Sequence, residues 1–452
     1  MTATDKKNDK LAASEEEPVN KVKKVTTPQL VRGMHDILPA EWPWWDTVLS
    51  EVATQAATYG FGRIETPAVE KTALFTRAIG TATDIVEKEM YSFVDQSDDH
   101  LSLRPEYTAG IARAFIEHGM LNLPQPVKLC AIGPVFRHER PQAGRYRGLW
   151  QADFETLGDA SPASDAQLIM VAASLLEGLQ LSVTVQINSV GCLNCRPAYK
   201  LELQDYYRTK RSVLCEDCKK RLPRNPLRLL DCKQDNCRQI AVKAPQLVDS
   251  LCPDCRQHFV SVLEYLDEVE ISYQLNSQLV RGLDYYTRTV FELWSQQEGQ
   301  LALVAGGRYD NLVEELGGPP TPAIGFAAGI ERLIIEMKSR GVALLAPAGA
   351  EVFVACLGEP ARKRAFKLFD DLRRQGVRVA ENFAKDGLKS QLEIANRLKV
   401  KFTLVVGQKE LMDGTIIVRD MENGIQEVVD FNKVVAEVKK RLAAQQSSVI
   451  LT

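Results

Sequence analysis

Eight of the ten cysteines lie between Cys192 and Cys255, in closely spaced pairs. The pairs are Cys192 with Cys195, Cys215 with Cys218, Cys232 with Cys237, and Cys252 with Cys255. Cysteines two residues apart are typical of zinc-binding knuckles, so four pairs predict up to two sites with four sulfur ligands each. The alternative is a set of reduced structural thiols. Because the stretch is otherwise basic and helix-prone, we interpret residues 191–271 as a helical insertion.

The segments on either side of the insertion carry strand-like patterns. Strands are predicted at 63–66, 127–136, 146–156, 182–188, 271–276, 286–293, 301–304 and 323–328, and helices at 42–59 and 162–178. Residues 305–308 (AGGR) are expected to form a glycine-rich turn. A polar segment with Pro141 and Gly144 joins two of the strands and is typical of a hairpin loop.

A linker at about 340–350 precedes an independent α/β pattern. Strands are predicted at 352–356, 377–380, 402–406, 416–419 and 427–430, and helices at 361–375, 387–398 and 432–443. This alternation predicts a small, mainly parallel sheet with helices packed on it. Basic residues on the first two helices, beside Phe383, favour a surface that binds RNA phosphates and stacks a base. An ordinary solvated helix face is the alternative, because Asp370 and Asp371 offset part of the charge.

Charge and hydropathy restrict the partners. The formal net charge of −3 gives no overall basic field, so RNA would bind through local patches, and DNA is not expected as a partner. No apolar run reaches the roughly 20 residues that cross a bilayer, so no membrane association is expected. Residues 1–27 lack the apolar core of a secretory signal and predict a disordered tail. A cytoplasmic location is expected, where disulfides are rare.

Arginine-bearing segments supply candidate phosphate ligands. Arg137 ends a predicted strand, and Arg145 lies in the hairpin loop that follows, so both are placed to bind an anion. Arg281 precedes a glycine, which allows close approach of a ligand. Arg332 follows a glycine-rich strand-to-helix corner, where its charge adds to that of helix amides. Surface ion pairs are the alternative for the hairpin segment.

Tyr285 and Tyr286 follow Arg281 at the start of a predicted strand. Alternation along a strand puts neighbouring side chains on opposite faces, so only one of the two is expected to line a pocket. The alternative is that both are core tyrosines. His258 lies near the last cysteine pair and is expected to be a solvated neighbour rather than a ligand.

Together these strings resemble the signature motifs of class II aminoacyl-tRNA synthetases. Pro67 matches the proline of motif 1, residues 136–139 (FRHE) begin motif 2, and residues 329–332 (GIER) match motif 3. Further strings resemble the histidyl-tRNA synthetase family, and the resemblance runs from about 31 to 440. They are residues 32–36 (RGMHD), 103–108 (LRPEYT), 281–286 (RGLDYY) and 305–310 (AGGRYD).

The resemblance implies an α+β fold. Its antiparallel catalytic sheet, flanked by helices, would span 28–190 and 272–340, interrupted by the cysteine-rich insertion 191–271. Residues 350–445 resemble an anticodon-binding α/β domain. Motif 1 resembles the family's dimer interface, so a homodimer is implied, and the cluster of Trp42, Trp44 and Trp45 would be partly buried there.

The implied activity is a histidine–tRNA ligase, which uses ATP, L-histidine and tRNA(His). Arg137, Arg281 and Arg332 are implied as catalytic residues, with Arg137, Arg145 and Arg332 holding ATP and Mg²⁺ bridging its outer phosphates. The implied histidine-binding residues are Glu106, Thr108, Gln151, Glu155, Tyr285 and Tyr286. Because Gln151 and Glu155 are four residues apart on a strand, they share a face. Tyr107 and the Leu149–Trp150 pair depart from the family pattern and leave details of the pocket wall open.

Two kinds of non-catalytic protein are alternatives to a synthetase. One is the family's paralogue that acts as a regulatory subunit of ATP phosphoribosyltransferase. It typically lacks the arginine that Arg281 matches and the C-terminal domain, and both are present here. The other is a zinc-dependent RNA-binding protein with a degenerate synthetase core, against which intact Glu106, Arg137, Arg281 and Arg332 argue. Pyrophosphate exchange with each amino acid separates these alternatives from a synthetase.

Overall fold

The computed structural model describes residues 27–81, 83–142, 144–296, 302–344 and 349–449. The tail predicted at 1–27 lies, apart from Thr27, outside the described residues. The chain divides into two compact units, Met1–Val342 and Ala343–Thr452. Within the described ranges, every helix is too short or too polar to span a bilayer.

The described residues of the first unit form eleven strands, numbered here in chain order. They are β1 (Gly62–Arg63), β2 (Val69–Lys71), β3 (Ser92–Val94), β4 (His100–Leu103), β5 (Val127–Phe136), β6 (Gly148–Leu157), β7 (Val183–Ser189), β8 (Tyr273–Leu275), β9 (Thr287–Ser295), β10 (Ala302–Arg308) and β11 (Ala323–Gly329). Eight form one sheet in the order β1-β5-β6-β11-β10-β9-β7-β8, while β2, β4 and β3 form a small sheet. The large sheet is antiparallel except for the parallel pairs β1–β5 and β7–β8.

The helices of this unit form two sets, one outside the cysteine-rich insertion and one within it. Those outside are α1 (Trp42–Thr58), α2 (Thr72–Ile79), α3 (Thr108–Glu117), α4 (Pro162–Gly178), α9 (Leu312–Glu315) and α10 (Ile330–Ser339). Those inside are α5 (Arg196–Arg208), α6 (Glu216–Arg221), α7 (Asp235–Ala241) and α8 (Pro253–Glu268), joined by 3₁₀ turns that include Pro226–Leu229. They leave the sheet after β7 and return at β8, its parallel neighbour.

The alternation of β6 separates two environments. Phe154 stacks on Phe326 of β11 at 4.9 Å and meets Phe61 edge-on at 5.1 Å. The opposite face carries Gln151 and Glu155, which the register places beside Gly329 and Gly325 of β11. All of these β6 side chains are buried, so the sheet packs on one face and offers a polar site on the other.

The predicted turn at 305–308 is wrong, because these residues lie inside β10 and pair with both β9 and β11. A side chain at Gly306 would overlap the Gly325 carbonyl, and one at Gly307 would lie 2.9 Å from Tyr286 Cδ1. The glycines therefore serve close packing of strands and not chain reversal. The strand predicted at 63–66 is also shorter than expected, since only Gly62–Arg63 pairs with β5.

The second unit is built on a five-stranded sheet. Its elements are β12 (Val352–Cys356), α11 (Glu359–Arg374), β13 (Val379–Glu381), α12 (Leu388–Arg397), β14 (Phe402–Val406), α13 (Gln408–Asp413), β15 (Thr415–Asp420), β16 (Gln426–Asp430) and α14 (Val434–Val449). Strand β12 pairs parallel with β13 and β14, whereas β14–β15 and β15–β16 are antiparallel. The expected mainly parallel sheet is therefore wrong, because the short turn between β15 and β16 permits only an antiparallel pair.

Candidate active site and cysteine groups

A cleft of about 730 Å³ opens on the polar face of the large sheet. It is lined by nearly all the residues that the sequence predicts for ATP and histidine: Glu106, Thr108, Arg137, Arg145, Gln151, Arg281, Tyr285, Tyr286 and Arg332. Glu155 is the exception. Its carboxylate accepts hydrogen bonds from Thr108 and Tyr309, which both line the cleft.

Glu106 shapes the floor of the cleft through the start of α3. Its carboxylate accepts hydrogen bonds from the backbone N–H groups of Thr108 and Ala109, each at 2.8 Å. The carboxylate thus caps the helix, where amides would otherwise lack partners. Burial raises the pKa of Glu106, against the effect of these hydrogen bonds.

Glu155 is held by two hydroxyl groups. Thr108 Oγ1 donates to Oε1 at 2.6 Å, and Tyr309 Oη donates to Oε2 at 2.5 Å. Complete burial raises its pKa to about 8 despite these two hydrogen bonds, and the charge of Glu106 adds to the rise. The carboxylate lies over Gly325, where a methyl group would overlap it.

Asp153 and Tyr309 are site residues that the sequence analysis did not select. Asp153 lies between Gln151 and Glu155 on the same face of β6 and lines the cleft. Burial, followed by the charges of Glu155 and Glu106, raises its pKa well above the usual value. The alternation that linked Gln151 to Glu155 also selects Asp153, and Tyr309 lies in the matched 305–310 string.

Both predicted tyrosines line the cleft, so the expectation that only one would do so is wrong. Their rings lie 4.7 Å apart, and Tyr285 also meets Tyr309 at 5.6 Å. Strand β9 begins only at Thr287, so the alternation of a strand does not apply to this pair. Both rings are buried.

The arginines approach the cleft from several elements, and the protein orients each one. Arg137 Nε donates to the Pro105 carbonyl at 2.7 Å, and Arg145 Nη1 lies 3.3 Å from Glu139 Oε2. Arg332 donates to the carbonyls of Gly144 and Ala302, each at 3.0 Å. Burial, followed by the charge of Arg145, lowers the pKa of Arg332. Positive charge is thus concentrated where an anion would be stabilised.

Arg281 comes from the loop before β9 and forms an ion pair with Glu292. Trp294 Nε1 donates to the other oxygen of that carboxylate at 2.7 Å. Among the described residues that line the cleft, Gln151 Oε1, Asp153 Oδ2 and Arg281 Nε are buried without a hydrogen-bond partner. Orphaned polar atoms of this kind in a cleft indicate places for a polar ligand.

The comparison with protein families identifies this arrangement. A family model described as histidyl-tRNA synthetase matches residues 33–333, more than half of the chain. The chain belongs to the histidyl-tRNA synthetase family. A second model, described as anticodon binding domain, matches residues 351–441. The resemblance stated from the sequence motifs is therefore confirmed.

Relatives support the family over the chain's length. The histidine–tRNA ligase of Desulforamulus reducens is 45% identical over 413 residues, covering 91% of this chain and 98% of the relative. That of Dehalococcoides mccartyi is 44% identical over 416 residues, covering 92% and 100%. The crystal structure of apo S. aureus histidyl-tRNA synthetase aligns with a TM-score of 0.76 at 33% identity, covering 91% of this chain and all of that one. The predicted fold class is confirmed.

The eight paired cysteines gather into two groups. The proximal group is Cys192, Cys195, Cys252 and Cys255, and the distal group is Cys215, Cys218, Cys232 and Cys237. Within each group the sulfur atoms lie within 4.8 Å of one another. Distances between neighbouring Sγ atoms are 3.7–3.9 Å. Four ligands at about 2.3 Å from a tetrahedral Zn²⁺ are separated by about 3.8 Å. Both groups therefore have the spacing that a metal ion requires.

His258 is not the solvated residue that the sequence suggested. It is buried on α8, and its Nε2 lies 2.8 Å from Asp165 Oδ2 of α4. Asp165 also accepts from Arg308 of β10, at 2.9 Å from Nε. Burial alone would raise the pKa of Asp165, but Arg308 and His258 lower it. This network joins the last helix of the insertion to the sheet.

The basic face expected on α11 is partly neutralised. Arg373 and Arg374 both pair with Asp370, at 3.0 and 2.7 Å. Arg362 pairs with Glu359 at 3.0 Å. Phe383 lies 5.7 Å from Phe366, whose side chain is 64% exposed. The full set of predicted basic residues is Arg362, Lys363, Arg364, Lys367, Arg373, Arg374, Lys385, Lys389, Arg397 and Lys399.

Proposed function

We propose that the chain is a histidine–tRNA ligase that activates histidine with ATP and transfers it to the 3′ end of tRNA(His). The observation that carries the proposal is the cleft itself, where arginines surround a pocket of buried carboxyls and phenols. Fixed cations suit a reaction that joins two anions, and the acceptor-rich pocket suits an ammonium and an imidazole.

Histidine recognition is assigned to the polar face of β6 and its neighbours. Glu106, Thr108 and Gln151 would hold the α-ammonium group, and the orphaned Gln151 Oε1 supplies an acceptor. Glu155 and Tyr286 would contact the two imidazole nitrogens, one accepting and the other donating. A pocket built on buried hydrogen bonds rejects analogues that lack the partner by about 10⁴–10⁵.

Activation is assigned to the arginines. An oxygen of the histidine carboxylate attacks the α-phosphorus of ATP, the bond from that phosphorus to the bridging oxygen breaks, and diphosphate leaves with its electron pair. Arg137 would orient the carboxylate and the α-phosphate, while Arg281 would stabilise the charge that develops on the other side. Arg332 and Arg145 would hold the γ-phosphate. The 3′-terminal hydroxyl of tRNA then displaces AMP from the adenylate.

We propose that Mg²⁺ binds in the same cleft together with ATP, where Glu89 and Glu139 are part of the lining. Glu89 and Glu139 offer hard oxygen ligands beside Arg145, and burial together with the charge of Glu139 raises the pKa of Glu89. These two carboxylates would hold Mg²⁺, which neutralises charge on the outer phosphates when bound.

Both cysteine groups are proposed to bind structural Zn²⁺. The support is the sulfur spacing, together with backbone N–H groups directed at sulfur: Cys192 N lies 3.1 Å from Cys195 Sγ, and Cys215 N lies 3.3 Å from Cys237 Sγ. Soft thiolate ligands in a tetrahedral set favour zinc over hard cations. We further propose a cytoplasmic enzyme, in which such thiols stay reduced.

A homodimer through motif 1 is proposed on the family resemblance around Pro67. The burial of Trp45 does not add support, because its ring packs on Trp150 of the same chain at 5.6 Å, leaving 3% exposed. Sedimentation of the purified protein at micromolar concentration should give twice the chain mass. A monomer at that concentration would contradict the proposal.

Histidine-dependent exchange of pyrophosphate into ATP tests the activity. Each of the twenty amino acids is supplied separately, and exchange is expected with histidine alone. Exchange with none of them would favour a non-catalytic paralogue, whereas exchange with another amino acid would refute the assigned specificity. Charging of purified tRNA(His) then tests the transfer step.

A further inference from the structure

The part of the insertion from Cys215 to Cys237, called the segment below, forms one wall of the cleft. Arg228, Leu230, Asp231, Cys232 and Lys233 all line it, although they follow the sheet strand β7 by many residues. Cys232 is also a member of the distal cysteine group, so this group and the cleft wall share a residue. A metal ion in the distal group would thus lie one side chain away from the cleft.

Two arginines of the segment form ion pairs with Asp84, which directly precedes the π-helix Ile85–Glu89. Arg221 Nη2 lies 2.6 Å from Asp84 Oδ2, and Arg228 Nη2 lies 3.2 Å from the same oxygen. Burial alone would raise the pKa of Asp84, but the two arginines reverse the shift and lower it. Asp84 and Ile85 line the cleft, so these ion pairs connect the segment to the lining of the cleft.

A second contact reaches the loop formed by residues 281–286. Asn225, which is buried, donates through Nδ2 to Asp284 Oδ1 at 2.8 Å. Arg228 crosses Gly282 so closely that a methyl group there would lie 2.8 Å from Nη1. The 281–286 loop contributes Arg281 and both tyrosines to the cleft, so these contacts bear on the site directly.

The helices of the segment are too short to stabilise its conformation by themselves. Helix α6 has six residues, α7 has seven, and the 3₁₀ turn Pro226–Leu229 has four. Isolated helices shorter than about 12–15 residues are marginal in water. The distal group joins the start of α6 to α7 across this turn, and a metal ion there would close the segment into a loop.

We infer that Zn²⁺ in the distal cysteine group positions the 281–286 loop for histidine, with Asn225 as the positioning residue that transmits the constraint. The metal fixes the two ends of the segment, and the fixed segment positions Asn225. Asn225 then holds Asp284 through its hydrogen bond, and Asp284 lies in the chain between Arg281 and the two tyrosines. One readout, the KM for histidine, rests on the proposed activity. The other two, metal content and amide exchange, test the inference without it.

Metal content is measured first, by elemental analysis of the purified protein. Two zinc ions per chain are expected for the wild type. One is expected after the distal double substitution Cys215→Ser with Cys218→Ser, and one after the proximal substitution Cys192→Ser with Cys195→Ser. Hydrogen–deuterium exchange should be faster across residues 279–286 in the distal variant. If that variant aggregates, the wild type treated with a zinc chelator takes its place.

Asn225→Ala separates positioning from metal binding. It should keep two zinc ions, show faster amide exchange across 279–286, and raise the KM for histidine on the order of tenfold, as expected for one buried hydrogen bond. The KM for ATP should change less. Gln246→Ala is the matched control, because Gln246 is an exposed amide of the insertion outside both cysteine groups, and it should leave all three readouts unchanged.

Fewer than two zinc ions in the wild type, or iron in place of zinc, would overturn the metal assignment. Unchanged amide exchange and unchanged histidine KM in Asn225→Ala would overturn the positioning role. Absence of histidine-dependent exchange in the wild type would instead refute the proposed activity, and the zinc count and amide exchange would still decide the inference.

Discussion

Replacing Arg281 with alanine is the sharpest test of the proposed chemistry. Deleting one fixed charge-stabilising donor lowers the rate of the chemical step by about 10²–10³, or about 2.7–4 kcal/mol of transition-state stabilisation. Histidine-dependent pyrophosphate exchange should fall by that factor. The KM for histidine should change less, since other side chains are assigned to its ammonium and imidazole.

Arg281→Ala also breaks the ion pair with Glu292. The two side chains are 19% and 14% exposed, so removing Arg281 leaves a largely desolvated carboxylate with Trp294 Nε1 as a remaining donor. Breaking a buried ion pair in this way costs about 3–5 kcal/mol, and the partial exposure reduces the cost here. Lower activity in Arg281→Ala could therefore reflect a disturbed cleft.

A double variant separates the two effects. Glu292→Gln removes the unpaired charge and retains an oxygen that accepts from Trp294. Arg281→Ala with Glu292→Gln should unfold at a higher denaturant concentration than Arg281→Ala alone, while exchange stays about 10²–10³ below the wild type. Wild-type exchange in the single variant, or recovery of exchange in the double variant, would refute the assigned role of Arg281.

Three further outcomes are expected. Gly325→Ala should raise the KM for histidine at least about tenfold and that for ATP less, because the methyl group displaces the Glu155 carboxylate from Thr108 and Tyr309; an unchanged histidine KM would contradict this. The pKa of Glu155 is raised from 4.5 to about 8, so its contribution to stability is complete below about pH 4.5 and is lost as the pH rises through about 8. Glu155→Gln should therefore flatten the fall in unfolding free energy over that range in urea titrations, and a parallel pH profile would count against the shift. Deleting 343–452 should leave exchange largely intact and raise the KM for tRNA steeply, since the cleft residues all precede 343; charging with an unchanged KM would show that this unit does not read the anticodon.

Local patterns predicted the long elements well because packing there agrees with periodicity. The predicted strand 127–136 and helix 162–178 match β5 and α4 in their bounds. The buried positions of β6 follow its alternation, so Gln151 and Glu155 share a face as expected. The three-stranded sheet of β2, β3 and β4 has no such signal, because its strands are three or four residues long and partly exposed.

Properties that depend on distant parts of the chain could not be read from periodicity. Cysteine spacing predicted two groups of four but left the pairing open, and the structure joins the first pair to the fourth and the second to the third. The sequence predicts a solvated His258, because nothing local shows that its partner Asp165 lies on another helix. In each case the deciding contact is made by tertiary packing, which overrides local preference.

The glycines of β10 and β11 show how one misread pattern carries functional information. The pair Gly306–Gly307 predicts a turn from the sequence, because glycine often marks chain reversal. Here Gly307 pairs with Gly325, which in turn lies opposite Glu155 in β6. The absence of side chains along this row leaves space for the Glu155 carboxylate and for the edge of Tyr286. The depth of the proposed imidazole pocket is therefore set by residues that contribute no functional group to it.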